Sequence, residues 1–351
     1  MIVELKHTDW KERKYMKTNL IIVEGLPGSG KSTTAVMIAD ELRKKGKTVV
    51  CVDEGVPDHP ADYADYDFPD FDTEREKILG KWRSFVQSCD KNTIYVFNCI
   101  FLQNPMCETM MRFGMDPEQS RRYIAKIADI IRPLDPVIIY IDLPDARAAV
   151  DGVLAERGEG WLNAVIDYHV SQGYGKQNGL SGYDGYIKCL EERKVRETSI
   201  LRSLDITQFT VSRDISGAEF EELYAAAGWC CPAREYVDTA IRNSTCSFVV
   251  RNRERTAAMI HWLGDYGMHW FMKDFIVHPD YQGRMIGTLL YRFSENFIVS
   301  NMSAGQKVCI DLRSFKGKEG FYKTLGYKVM SESETGAGME KMLEKNGTAG
   351  L

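Results

Sequence analysis

The chain has no apolar run approaching the roughly 18–20 residues that a membrane-spanning helix needs. Its first residues, MIVELKHTDWKERKYMK, lack the apolar stretch of a secretory signal. A basic excess is also missing. Lys and Arg number 45 against 50 Asp and Glu, which leaves a net charge of −5 and argues against a general nucleic-acid binder. Nine cysteines form no C-x-x-C pair, and Cys230 and Cys231 are adjacent. Neither a disulfide framework nor a zinc knuckle follows from that spacing. Reduced thiols in a cytoplasmic protein without a membrane partner are the expectation. Internal repeats and low-complexity segments are absent as well.

What is present is a globular composition, 44% hydrophobic and 27% charged, over 351 residues. That length predicts two domains. Gly25-Leu26-Pro27-Gly28-Ser29-Gly30-Lys31-Ser32 matches the phosphate-binding pattern G-x-x-x-x-G-K-[ST] at every fixed position. An apolar run, Leu20 to Val23, precedes it, and a helical pattern from Thr33 to Lys45 follows. Glycines let the backbone wrap closely around a phosphate, and the N–H groups of the loop and of the next helix point at the anion. The expected ligand is ATP with Mg2+. Gly25, Pro27, Gly28, Ser29, Gly30, Lys31, Ser32 and Thr33 would bind it, with Lys31 on the β- and γ-phosphates and Ser32 on the metal.

Residues 18–204 alternate strand and helix signals, as an α/β parallel sheet requires. Expected strands are Leu20–Val23, Thr48–Val52, Thr93–Phe97 and Val137–Ile141. Helices are expected at 33–45, 73–88, 117–132, 146–157 and from Tyr186 to Leu204, with a Gly/Tyr-rich loop at 171–186. A second domain is placed at 205–345, and residues 1–17 form an N-terminal extension. Strands are expected there at 206–211, 247–251, 257–262, 268–278, 307–311 and near Tyr327–Met330. Helices are expected at 218–227, 288–299 and 318–325. Ile206–Val211 also suits the last strand of the first domain.

With these motifs placed, residues 20–160 resemble a P-loop small-molecule kinase of the nucleoside-monophosphate-kinase type, closest in style to thymidylate kinases. Ile139 to Pro144 resembles the strand before the lid of those enzymes. Glu156-Arg157-Gly158 resembles the start of the lid, so Arg157 is the candidate that neutralises the transferred phosphoryl group. Arg193 and Arg196 are further lid candidates. The third strand leads to Asn98 rather than to an acid. The second ends at Asp53-Glu54, which makes Asp53 a candidate for orienting an acceptor hydroxyl or holding Mg2+. Residues 54–76, EGVPDHPADYADYDFPDFDTERE, alternate acids with Tyr and Phe, as an acceptor loop for a cationic, amine-bearing small molecule would. Gln103 and Asn104 are candidate substrate contacts.

Phe275 to Gly287 resembles the acetyl-CoA motif of GNAT-type N-acetyltransferases, a strand followed by [RQ]-x-x-G-x-[GA] and a helix. Gln282 and Gly287 match, and Met285 replaces the first glycine. The resemblance implies acetyl-CoA binding by Val277, Gln282, Gly283, Arg284, Met285, Ile286, Gly287 and Thr288, with Met285 expected to avoid a glycine-only conformation. Gly320 to Tyr327 resembles the F-Y-x-x-x-G-[FY] segment of the same family, which implies Tyr322 as the acid that protonates the leaving thiolate. Asp274, His269 and Glu319 are possible bases. The combined expectation is a parallel-sheet P-loop kinase domain joined to an α+β GNAT acyltransferase domain, a bifunctional transferase. Two alternatives stand beside it. One is an acetyltransferase regulated by a nucleotide-binding domain, and the other a non-catalytic binding protein.

Overall fold

In the computed structural model residues 18–62 and 70–330 are described. They fall into two compact units, one ending at Asp311 and the other beginning at Leu312. Strand β1 (Leu20–Gly25) is buried at all six positions, so it occupies the centre of a sheet rather than an edge. Around it the chain runs α1 (Lys31–Lys44), β2 (Thr48–Val52), α2 (Phe71–Ser88), β3 (Thr93–Asn98), α3 (Gln103–Met106), a π turn (Cys107–Arg112), α4 (Pro117–Ile131) and β4 (Val137–Ile141). Then follow α5 (Ala146–Val170), α6 (Gly173–Gln177), α7 (Gly182–Ser203) and β5 (Thr207–Ser212). β1 pairs in parallel with β3 and β4, β2 with β3, and β4 with β5. Parallel strands buried on both faces require apolar runs, and this is why Leu20–Val23 and Val137–Ile141 were legible. Trp82 of α2, Ile127 of α4 and Leu201 of α7 pack with Ile22, Phe97 and Ile138 in the core. Burial contributes about 1.5–3 kcal/mol for each large apolar side chain.

The antiparallel half continues with α8 (Gly217–Ala226), α9 (Arg234–Asn243), β6 (Cys246–Asn252), β7 (Arg255–Gly264), β8 (His269–Val277), α10 (Ile286–Ser300) and β9 (Cys309–Leu312). β5 pairs antiparallel with β6, β6 with β7 and β7 with β8. Among the described residues all nine strands form one sheet in the order β2-β3-β1-β4-β5-β6-β7-β8-β9. β5 is thus both the last parallel strand of one half and the first antiparallel partner of the next. Phe220 and Leu223 of α8 and Val237 of α9 cover Val249, Met259 and Ile276. On α10, Phe293 and Phe297 each stack edge-on against Phe248 of β6, both at 5.5 Å between ring centroids.

Several elements differ from expectation. The segment 171–186 is not a loop. It holds α6 and the start of α7, because Tyr174 packs onto the core and offsets the low helix propensity of its glycines. α5 runs beyond 157 to Val170, but Gly158 breaks it at φ 78°. α9 has one buried residue, Val237, and so carries little apolar periodicity to read. The second unit contains α11 (Glu319–Thr324). No strand forms at Tyr327–Met330, where the Tyr327 N–H turns back to the Tyr322 carbonyl at 3.1 Å and Val329 and Met330 are exposed. The expected extension at 1–17, residues 63–69 of the acidic segment and residues beyond 330 lie outside the described residues.

Candidate functional site

The loop from Gly25 to Gly30 turns out of β1 into α1. Gly28 has φ 79°, and a Cβ there would stand 2.5 Å from the Ala149 carbonyl oxygen of α5, so the loop can lie this close to α5 only with glycine. Gly30, the residue before α1, has φ 82°. No side chain caps α1, and its first turn carries no acid. Its N-terminal N–H groups are therefore not competed for by a carboxylate, as an anion site requires. α2, α4, α5 and α8 by contrast begin with side-chain caps, from Asp70, Asp116, Asp145 and Ser216. Lys31 is buried and donates from Nζ to the Leu26 carbonyl of its own loop at 2.9 Å.

Ser32, Asp53 and Asn98 converge beside the loop. Ser32 Oγ donates to Asp53 Oδ1 at 3.2 Å, and Asn98 Nδ2 donates to both Ser32 Oγ (2.8 Å) and Asp53 Oδ1 (2.5 Å). The Glu54 N–H is shared between Asp53 Oδ1 and Asn98 Oδ1, each at 3.1 Å. The first turn of α1 and the ends of β2 and β3 thus bring a hydroxyl, a carboxylate and an amide to one corner, where the hydroxyl and the carboxylate are the oxygen donors suited to a hard cation. A magnesium ion would fit these oxygen donors, and Ser32 and Asp53 are the residues that would hold it.

A cavity of about 1440 Å³ opens over the loop, lined by Pro27 to Thr34. Glu54, Gln103, Asn104, Glu108, Arg112 and Arg157 also line it. Arg157 sits just before the break at Gly158, with its guanidinium 5.4 Å from the Trp161 ring centroid. Arg193 reaches the same cavity but is 1% exposed, so it is a buried support rather than a lid. Its Nε donates to Glu197 Oε1 at 2.6 Å, and Nη2 donates to Gln103 Oε1 at 3.3 Å and to the Gly25 carbonyl at 3.4 Å. Tyr140 donates to the other oxygen of Glu197 at 2.9 Å. Arg196 turns elsewhere, to Glu192 and the Met115 carbonyl.

Glu24 was missed from sequence. It is fully buried at the end of β1 and accepts N–H bonds from Phe101 and Leu102, at 2.8 and 2.9 Å, where the chain enters α3. Burial, then the nearby Glu197 carboxylate, pushes its pKa up to about 7. An acid closing an otherwise apolar strand was its sequence signal. In the acidic segment His59 is buried against Phe97, and its Nδ1 accepts the N–H groups of Ala61 and Asp62. Burial lowers its pKa to about 4.

At the second motif, Val277 ends β8 and its carbonyl accepts from Gln282 Nε2 at 2.9 Å. Met285 stands immediately before α10 at φ 65°, ψ −3°. This is the left-handed region, which glycine favours but which a side chain can adopt at a cost, and not a glycine-only conformation. Like α1, α10 has no side-chain cap and no acid in its first turn, which contains Ile286, Gly287 and a buried Thr288. A groove of about 600 Å³ beside the turn is lined by Gln282, Gly283 and Arg284, with Arg255 and Tyr281.

Asp274 is fully engaged. Its oxygens accept from Tyr224 at 2.5 Å and pair with His261 Nδ1 at 3.1 Å, while His261 Nε2 meets Ser244 Oγ. Burial raises its pKa, but the hydrogen bonds from His261 and Tyr224 outweigh that and hold it below the usual range. A carboxylate so held is a weak base. His269, Cys309 and Asp311 bring ligand atoms within 4.8 Å of one another at the surface, a group able to hold a metal. In the second unit Tyr322 lies on α11 beside Phe321 and Tyr327, and burial raises the pKa of its phenol.

Comparisons bear on both halves. Residues 243–329 match the family model described as "Acetyltransferase (GNAT) domain". Residues 18–93 match the model described as "Chromatin associated protein KTI12", a P-loop kinase-like family. Solved structures similar to this chain include a GNAT family acetyltransferase from Streptococcus pneumoniae TIGR4, at 21% identity and TM-score 0.32, covering 39% of this chain and 98% of that one. Another is glucosamine-6-phosphate N-acetyltransferase from Arabidopsis thaliana, at 15% identity and TM-score 0.31, covering 39% and 99%. A third is an aminoglycoside 6'-N-acetyltransferase complexed with coenzyme A, at 15% identity and TM-score 0.29, covering 34% and 86%. No curated protein matches the chain. The chain thus contains a GNAT acetyltransferase domain, which supports a transferase, and a P-loop kinase-like domain before it. No described helix is long and apolar enough to cross a membrane.

Proposed function

We propose that the chain is a two-site small-molecule transferase. The N-terminal half would transfer the ATP γ-phosphoryl group to a hydroxyl, and the C-terminal half would transfer acetyl from acetyl-CoA to an amine. One observation carries this reading. Two helices, α1 and α10, begin without side-chain caps or acids, each after a residue in the left-handed region. Each is the motif that expects a phosphate-bearing cofactor.

In the first site, Lys31 and the loop N–H groups would hold the triphosphate, and Ser32 with Asp53 the magnesium ion. The bound metal would supply charge neutralisation at the phosphates. Arg157 would add positive charge at the transferred group. Lys31 must first exchange its Leu26 carbonyl contact for phosphate. Glu54 and Glu108 in the cavity lining, where Arg112 is paired with Glu74, favour a cationic, amine-bearing acceptor. In the second site, the 282–288 turn would bind the pyrophosphate of acetyl-CoA, the cofactor that supplies the activated acetyl group. The resemblance of Gly320 to Tyr327 to the GNAT segment implies Tyr322, whose phenol burial keeps protonated, as the acid that would give its proton to the departing thiolate.

The test uses two variants, Lys31→Ala and Tyr322→Phe. ATP turnover should fall in the first with acetyl-CoA thiol release unchanged, and the second should show the reverse. If either variant abolishes both activities, the two-site reading fails. A second reading makes the P-loop half a nucleotide-dependent regulator of acetyl transfer. Asn98, an amide at the cation corner, favours it. Acetylation that responds to ATP while consuming none would support that reading.

A further inference from the structure

The cavity over the P-loop is lined by unlike groups. Glu54, Glu108 and Arg112 are among the charged ones. Another part of the lining belongs to the other half of the molecule: Phe293, Asn296 and Phe297 of α10, with Arg213 just past β5. The Arg213 guanidinium lies over the Phe297 ring, 4.4 Å from its centroid, and 5.7 Å from that of Phe248. Phe293 and Asn296 also share a groove of about 200 Å³ with Thr33 and Thr34 in the first turn of α1. The α10 face therefore reaches from the start of the phosphate-binding helix to the exposed Arg213.

A nucleotide whose phosphates rest on the loop must send its base along the cavity in one direction. Trp161 and Tyr168 of α5 are one aromatic part of the lining, with the Arg157 guanidinium already 5.4 Å from the Trp161 ring centroid, and the α10 face, which also shares a groove with the first turn of α1, is another. The α10 face offers two half-buried rings, a guanidinium over one of them, and a carboxamide with both a donor and an acceptor. Guanidinium and phenyl faces stack on nucleobases, and a carboxamide reads a base edge. We propose that the base of the P-loop nucleotide is bound by the acetyltransferase half, stacked on Arg213 and the Phe293/Phe297 face of α10 with Asn296 at its edge. The inference rests on the reading of the P-loop as a nucleotide site. It makes α10 common to both ligands, since its N-terminus is the acyl-CoA turn and its C-terminal half the wall of the nucleotide site.

The test is titration calorimetry on the full chain with Mg·ATP and with Mg·tripolyphosphate, which has the phosphates and no base. Wild type should bind ATP more tightly than tripolyphosphate. Phe297→Ala should weaken ATP roughly tenfold or more and leave tripolyphosphate within about twofold. Asn296→Ala, at an exposed position that leaves packing intact, should weaken ATP alone by a smaller factor. Unchanged ATP affinity in both variants overturns the base subsite while the P-loop reading stands. If wild type binds neither ligand, the P-loop reading falls and the subsite with it. If it binds both equally, the base makes no contact and the proposal is wrong.

Discussion

Replacing Asn98 with Asp probes the cation corner most sharply. The Asn98 amide now donates to Asp53 Oδ1 at 2.5 Å and to Ser32 Oγ at 2.8 Å. A carboxylate in its place loses both donations and faces the Asp53 carboxylate across the gap. Two like charges relaxed to about 4 Å repel by about 4 kcal/mol at an effective dielectric of 20. Asp53 is exposed, so solvent screening reduces this to about 2 kcal/mol. In a domain this large that corresponds to a fall in Tm of about 4 °C. A magnesium ion reverses the sign, because two carboxylates and a hydroxyl bind it better than one carboxylate, an amide and a hydroxyl. Thermal melts with EDTA and with excess Mg2+, for wild type and Asn98→Asp, read both effects. The variant should melt lower than wild type in EDTA and recover with Mg2+ by more than wild type gains. Equal Mg2+ responses in the two proteins would refute the assignment of this corner to a cation.

Three further outcomes follow from the geometry. Met285→Gly relieves a left-handed side-chain conformation and should stabilise the chain by up to about 1 kcal/mol while keeping acetyl-CoA affinity; a loss of stability on melting would mean Met285 contributes packing that its backbone cost conceals. Gly28→Ala sets a Cβ against the Ala149 carbonyl and should cost more than the roughly 1–3 kcal/mol of Gly30→Ala, whose Cβ meets open space; equal costs in denaturant titrations would contradict the close approach. His59 and His169 are both lowered to about 4 by burial, so each favours the fold above its unfolded value of 6.5 and loses that contribution as pH falls toward 4. The ceiling is about 3 kcal/mol each. Glu24, raised to about 7, works oppositely and costs stability as pH rises from 4.5 to 7. Two histidines outweigh one carboxyl, so stability should rise from pH 4 to 6.5, and His169→Phe should flatten that rise; an unaltered profile would exclude His169 as a source.

Much of this was readable because the readable parts are local. A P-loop is one stretch of chain, and its glycines, lysine and serine carry their backbone demands in their identities. The turn before α10 was equally local, and even with methionine in place of glycine the flanking Gln282 and Gly287 located it. Central parallel strands were legible because burial on both faces leaves only apolar residues. What escaped depends on distant partners. Asp53 and Asn98 lie 45 residues apart and meet only because β2 and β3 are neighbours. Arg193 looked like a mobile lid residue, but Glu197 one turn away and the Gly25 carbonyl hold it inside. Glu24 reads as an interruption of a strand until the N–H groups entering α3 are brought to it. The shared strand β5 was legible only as an ambiguity, Ile206–Val211 suiting either domain, since a strand paired in parallel on one edge and antiparallel on the other has the same apolar pattern as any central strand.

The central claim is that one chain carries two separate group-transfer sites. Its most direct test incubates a pool of amino-alcohols, aminoglycosides and other small amines with the full chain, ATP, Mg2+ and acetyl-CoA, and reads product masses. The account predicts a phosphoryl addition that vanishes with Lys31→Ala and an acetyl addition that vanishes with Tyr322→Phe, each surviving the other variant. Acetyl additions alone, with ATP never consumed by any acceptor, would contradict it.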